Sequence, residues 1–300
     1  MKKYGWGIGY GLILAAFTVY ILLDTFMIAR VYQSAPNANG TSQSQAAGEE
    51  LQQHQNAVIT ANTYQDDNIS ITVTEYRENG TTVYAADIRI TSAEYLKTAL
   101  ANAAYGKNVT DKTSDIAAEN NAILAVNGDF YGSREKGYVL RNGVLYRDSA
   151  ADSQEDLVIY RDGSFEVITE QSVTADRLLA AGAEQILSFG PALVLDSRLS
   201  VTQDEEVGKA MASNPRTAIG IVDELHYLFV VSDGRTEESK GLTLYELAEF
   251  MWSMGVKTAY NLDGGGSSAM YFNGEIINHP TTDGRSIRER SVSDIVYIGY

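Results

Sequence analysis

The chain has 300 residues, a formal net charge of -16 and no cysteine. That charge excludes a nucleic-acid partner, which needs a concentrated Lys/Arg surface, and the missing cysteines exclude disulfides, thiolate zinc sites and a cysteine nucleophile. An anionic small substrate stays open, provided that a few arginines gather within the acidic surface.

From Trp6 to Ala29 the chain carries an apolar run, long enough for a bilayer, which takes roughly 20 residues at helical rise. Lys2 and Lys3 precede it, so the positive-inside rule leaves the N-terminus cytoplasmic and everything beyond the span outside the cell. Residues 1–32 thus read as a cytoplasmic tip and a single-pass anchor in the cell membrane, touching lipid through residues 6–29. A cleaved signal peptide competes, but the run is long for one and no small-x-small site follows it directly. Residues 33–67 are rich in Asn, Gln, Ser, Ala and Gly and read as a flexible stalk that includes His54.

A folded domain is expected over residues 68–300. Ile69, Ile71 and Val73 alternate with polar residues, and the run from Val83 to Ile90 follows Asn79-Gly80, which predicts a hairpin. A helix is expected from Ser114, then a buried strand from Ala122 to Val126 that delivers Asn127-Gly128-Asp129-Phe130. Asn142-Gly143 and Asp162-Gly163 centre two more hairpins, Arg177 to Ala181 reads as a short helix, and strands at 186–189 and 192–195 flank Gly190-Pro191. In the last third, strands at 218–222, 225–232 and 256–260 accompany a helix from Leu244 to Met254. Thr243 and Glu246 form its capping box, and Leu244, Leu247, Ala248, Met251 and Trp252 form its apolar stripe. Asn273-Gly274 turns a last hairpin, and a strand at 295–298 closes the chain. Strands outnumber helices and no strand–helix alternation persists. The fold class is therefore α+β, with mixed, hairpin-rich β-sheets and packed helices after one N-terminal transmembrane helix.

Polar groups recur where strands end: Asn127 and Asp129, Asn214 and Arg216, Ser232, Asp233 and Arg235. Loops at strand ends commonly hold reactive groups on a rigid sheet. Asp263 is followed by Gly264, Gly265 and Gly266, then Ser267 and Ser268. Such a loop suits an oxyanion because its backbone can approach closely, although by itself it reads first as a turn in which Asp263 bonds nearby amides. Arg285, Arg288 and Arg290 form a late basic cluster able to meet a phosphate. His279 reads as a loop histidine or as a sugar or phosphate contact, and His226 as structural.

Taken in order, Asn127-Gly128-Asp129-Phe130, the run Ser188 to Val194, the run Asn214 to Gly220, Ser232-Asp233-Gly234-Arg235 and the run Asn261 to Ser268, then Asn278, Pro280 and Arg290, resemble the phosphodiester glycosidase family over about residues 120 to 300. The resemblance implies hydrolysis of the bond between a sugar's anomeric carbon and a bridging phosphate, with a sugar-phosphate diester or wall glycan of the bacterial envelope as substrate. In that setting Arg216 and Arg235, with Arg290, would clamp the phosphate, and the amides of Gly264 to Gly266 and Ser267 would stabilise charge on the departing group. Asp263 and Asp129 would activate water or steady an oxocarbenium-like centre, with Asp233 as a third catalytic candidate. Asn127, Gly128, Asn214, Ser268 and Asn278 would line the substrate. No cofactor is required in this reading; a divalent cation on Asp129, Asp233 and Asp263 is the alternative. A non-catalytic envelope-glycan binding protein, or a partner in exopolysaccharide assembly, is the second function class. The sequence carries no signal for an oligomeric state.

Overall fold

The computed structural model describes residues 5–36, 57–204 and 213–300. Among them, helix α1, Gly5–Phe26, is long and apolar enough to cross a membrane, and its Leu12, Ile13, Leu14 and Phe17 side chains are exposed. The strand Arg30–Ser34 follows and pairs antiparallel with Ala104–Lys107. Asn108 Nδ2 reinforces this attachment by donating to the carbonyls of Thr25 and Ile28 at 3.1 and 3.2 Å. Residues 37–56, the middle of the expected stalk, lie outside the described residues. Ordered pairing begins ahead of Asn68, because Val58–Ile59 and Thr63–Gln65 form a hairpin that extends the largest sheet and buries Tyr64.

The largest sheet has nine strands, in the order Arg198–Leu199, Ala192–Leu195, Thr258–Asn261, Arg216–Asp223, His226–Ser232, Thr81–Ile90, Ile69–Glu78, Thr63–Gln65 and Val58–Ile59. A five-stranded sheet runs Glu275–Ile276, Met270–Phe272, Leu124–Asn127, Asp294–Ile298 and Leu96–Leu100. The other five-stranded sheet runs Val144–Arg147, Val139–Arg141, Ala183–Leu187, Glu155–Tyr160 and Phe165–Thr169. Pairing among the described strands is antiparallel throughout.

Side chains along a strand alternate between faces, and this period divides the core. In His226–Ser232, Tyr227, Phe229 and Val231 face a cluster shared with Leu124, Val126, Met270, Val296 and Ile298 of the second sheet and Leu157, Ile159 and Leu187 of the third. Leu228 and Val230 face the other way, onto Leu244, Leu247, Ala248 and Met251 of a helix over Leu244–Ser253. That helix starts as expected: Thr243 Oγ1 accepts from Glu246 N at 3.1 Å and Thr243 N donates to Glu246 Oε2 at 2.8 Å. Two shorter helices, Thr113–Glu119 and Ala175–Ala180, cover the outer faces of the second and third sheets through Ile116 and Ala117 and through Leu178. The α+β class thus stands, with the Leu244–Ser253 helix on one face of the largest sheet and the two five-stranded sheets on the other.

Candidate active site

Antiparallel pairing brings the motifs together. Arg216 opens its strand opposite Ser232, the last residue of the neighbouring strand, and Ala218 lies opposite Asn261, the last residue of the strand on the other side. One edge of the largest sheet therefore carries Arg216, the Asp233 loop and the Asp263 loop. Asn127 joins the second sheet to this edge. Its Nδ2 donates to Asp263 O at 2.6 Å and its Oδ1 accepts from Thr217 Oγ1 at 2.8 Å. Asp263 N in turn donates to Gly128 O at 3.2 Å. Asn127 and Gly128 thus fix the position of the Asp263 loop from beneath.

The glycine loop is compact for steric reasons. Gly265 has φ +62°, and a Cβ there would lie 2.8 Å from Arg235 Nη2; a Cβ on Gly266 would lie 2.2 Å from Thr282 Oγ1. Glycine lets Arg235 and the Thr282 segment close over the loop. Most of the amides, however, are already engaged. Gly264 N donates to Asp263 Oδ1 at 2.9 Å, Gly265 N to Pro215 O at 2.8 Å, Ser267 N to Gly264 O at 3.3 Å and Ser268 N to Gly265 O at 3.2 Å. Of the expected amide cradle over Gly264 to Ser267, three donors are thus spent on Asp263, Pro215 and Gly264, and Gly266 N is the one without such a bond among the described residues.

Arginine takes over that place. Arg290 donates from Nε and Nη2 to Ser267 Oγ at 3.0 and 2.5 Å, and Nη2 lies 3.3 Å from Asp263 Oδ2 and from Gly264 O. Arg235 donates from Nε and Nη2 to Asn214 Oδ1 at 3.1 and 3.0 Å and from Nη1 to Thr282 O at 2.8 Å. Burial, then the positive charge of Arg290, holds the Arg235 guanidinium below its ordinary pKa. Two like charges that reach the same loop, Arg235 at Gly265 and Arg290 at Gly264 and Ser267, favour an anion beside it. Burial raises the Asp263 carboxyl above the usual carboxylate range, against the opposing pull of Arg290, the Ser267 hydroxyl and the Gly264 amide. Its side chain keeps 13% exposure, and that of Arg290 keeps 41%.

Arg216 sits deeper. Its side chain is buried, Nε donates to Leu242 O at 2.9 Å, and its backbone N–H donates to Ser232 Oγ at 3.0 Å. The structure thus gives Arg216 a bracing role between the strand edge and the 241–242 turn. Arg285 and Arg288 of the late basic cluster are exposed on the same loop as Arg290.

Asp129 departs furthest from expectation. It is buried, with Oδ1 accepting from Tyr131 N at 2.9 Å and Oδ2 accepting from Ser188 N and Arg141 Nη2, both at 2.8 Å. Arg141 also pairs with Asp294, Nη2 to Oδ2 at 2.6 Å, and is 2% exposed. A carboxylate with these partners has no surface to offer a substrate, so Asp129 anchors the loop and does not touch the reacting atoms. Neither Arg141 nor Asp294 stands out in sequence: one is a lone cation inside a hairpin strand, the other the first residue of the closing strand.

Asp233 is also enclosed. Oδ1 accepts from His279 N at 2.8 Å and Asn278 Nδ2 at 3.3 Å, and Oδ2 lies 3.1 Å from His279 Nδ1. Asn278 Nδ2 further donates to Ser268 O at 3.0 Å, which ties this cluster to the glycine loop. Ser268 itself is buried. Asp129, Asp233 and Asp263 each engage a different basic partner, and among the described residues no group of three acidic or histidine side chains is arranged to hold a metal ion.

Comparison with known proteins bears on this arrangement. A family model described as phosphodiester glycosidase matches residues 120–299. The SPbeta prophage-derived uncharacterized protein YomE of Bacillus subtilis (strain 168) is 31% identical over 201 residues, covering 65% of this chain and 31% of that protein. N-acetylglucosamine-1-phosphodiester alpha-N-acetylglucosaminidase of Mus musculus is 29% identical over 182 residues, covering 56% of this chain and 35% of the mouse protein. The alignments thus span about a third of the length of these relatives. Among solved structures, the catalytic domain of the zebrafish N-acetylglucosamine-1-phosphodiester alpha-N-acetylglucosaminidase, auto-inhibited by its pro-peptide, superposes with a TM-score of 0.60 at 18% identity, over 77% of this chain and 83% of that one. A hypothetical protein from Synechocystis gives 0.56 at 14% identity, over 77% and 62%. At these identities the structural likeness shows a common fold.

Proposed function

Because the chain belongs to the phosphodiester glycosidase family, we propose that it hydrolyses the bond between a sugar's anomeric carbon and a bridging phosphate, releasing free sugar and a phosphomonoester. One observation carries the reading: Arg235 and Arg290, in a chain of net charge -16, converge on the loop that presents Asp263. The two guanidinium groups bind the phosphate and offset the charge it gains on leaving. Asp263 offsets the positive charge that develops at the anomeric carbon. Arg290 touches both Asp263 and Ser267, so it couples phosphate binding to the position of the carboxylate.

The reaction needs no cofactor in this proposal, and activity is expected to survive exhaustive chelation. Helix α1 with Lys2 and Lys3 before it supports an anchor that holds the domain on the outer face of the cell membrane, where sugar-phosphate linkages of envelope glycans are the substrate class. The test incubates the full chain in detergent with a panel of sugar 1-phosphodiesters and native wall polymer and measures released reducing sugar. Release that falls in Asp263→Asn and Arg290→Ala supports the proposal. No release across the panel, or release indifferent to both substitutions, defeats it.

A further inference from the structure

Hydrolysis at an anomeric carbon asks for a base to take the proton of the attacking water. Asp129 is locked to Arg141, and Asp263 is held by Arg290. Of the other carboxylates on the covering loop, Asp283 caps the amides of Arg285 and Ser286, and Glu289 accepts from the backbone and hydroxyl of Ser114. The position left unfilled by carboxylates is matched by an imidazole. His279 directs Nδ1 toward Asp233 Oδ2 at 3.1 Å, with Tyr84 Oη 3.3 Å from the same nitrogen, while its backbone N–H holds the other oxygen of Asp233 at 2.8 Å. The Asp233 side chain is 5% exposed and that of His279 is 63% exposed.

A carboxylate oxygen only accepts, so in the neutral ring Nδ1 carries the hydrogen and Nε2, on the far side, keeps its lone pair. The pair also stands beside the phosphate clamp. Asn278, adjacent to His279, links Asp233 to the backbone of Ser268. Arg235 lies two residues beyond Asp233 and donates to the carbonyl of Thr282, three residues beyond His279. The imidazole and both guanidinium groups are therefore carried by two loops, 233–241 and 278–290, that close on the glycine turn.

We infer that His279 is the general base of the reaction and that Asp233 is its positioning residue, an inference that rests on the glycosidase reading above. Nε2 takes a proton from water as the water oxygen bonds to the anomeric carbon. The bond from that carbon to the phosphate oxygen breaks, and its electron pair leaves with the phosphomonoester between Arg235 and Arg290. Asp233 offsets the charge of the imidazolium, which then returns its proton to solvent.

Two measurements on the full chain test this. ¹⁵N NMR, with His279 assigned among the three histidines by His279→Gln, is expected to show hydrogen on Nδ1 and a bare Nε2 in neutral His279, and a mixture of tautomers in Asp233→Asn. With the diester that the panel identifies, His279→Gln is expected to lower kcat by about 10²- to 10⁴-fold with KM within a few-fold, added imidazole restoring part of the rate. His226→Gln, whose ring bonds Asp87 instead, is expected to retain activity. Hydrogen on Nε2 in the wild type, or full kcat in His279→Gln within an active background, overturns the inference alone. A wild type that turns over no diester overturns the glycosidase reading and this inference together.

Discussion

Replacing Arg141 by Met tests the claim that Asp129 belongs to the scaffold. The substitution keeps most of the side-chain volume but removes the cation shared by Asp129 and Asp294, at 2.8 and 2.6 Å. Asp129 would retain two donors, Tyr131 N and Ser188 N. Asp294 would be worse placed, because its Oδ1 has no hydrogen-bond partner among the described residues even with Arg141 in place. Breaking a buried ion pair from one side costs about 3–5 kcal/mol, and at about 2–4 °C per kcal/mol for a domain of this size the melting temperature should fall by about 6–20 °C. The loss should depend on pH. Burial raises the Asp294 carboxyl to about 7, and Arg141 opposes that rise. Its folded-state pKa thus lies above the unfolded value, so its contribution is complete at acidic pH and is lost as pH rises through about 7. Without Arg141 that loss deepens above neutrality, whereas near pH 5 the carboxyl is neutral with or without the arginine. Thermal unfolding followed by circular dichroism at pH 5 and pH 8 should therefore show the larger deficit at pH 8, and adding Asp294→Asn to Arg141→Met should recover at least about 1 kcal/mol of it. Equal deficits at both pH values, with no recovery, would refute the ion-pair account.

Asp156 gives a complementary case. It is buried beside Glu170, and burial first, then the Glu170 charge, pushes its carboxyl up to about 10. Stability is lost as pH rises from the unfolded pKa toward that value, so Asp156→Asn should raise the melting temperature at pH 8 by more than at pH 5, a gain of at least about 1 kcal/mol in denaturant titrations. Gly266→Ala places a Cβ 2.2 Å from Thr282 Oγ1 and should cost about 1–3 kcal/mol, the range for overpacking, with a matching loss of reducing-sugar release. Asp129→Asn should lower stability, yet protein still folded at the assay temperature should retain far more activity than Asp263→Asn, as judged by kcat per folded molecule. Deleting residues 1–26 should move the protein from the membrane pellet to the soluble fraction on ultracentrifugation; a deletion that still sediments with membranes would speak against α1 as the anchor.

Elements with a local cause are legible in the chain. Asn79-Gly80, Asn142-Gly143, Asp162-Gly163 and Asn273-Gly274 each supply the positive φ that a tight hairpin needs, and each lies at the turn between paired strands. Thr243 and Glu246 likewise mark a helix start within four residues, and the ordered motifs suffice for the family. Leu96–Leu100 was not legible as a strand, because its register comes from Asp294–Ile298, nearly two hundred positions away. The same limit applies to the site. Sequence names Asp263 and Asp129, with Asp233 behind them, as candidate carboxylates. Folding separates them, by enclosing Asp129 with Arg141, turning Asp233 to His279 and leaving Asp263 with Arg290. What a carboxylate can do is set by its burial and its charged neighbours, and those neighbours come from strands and loops that the chain brings together only on folding.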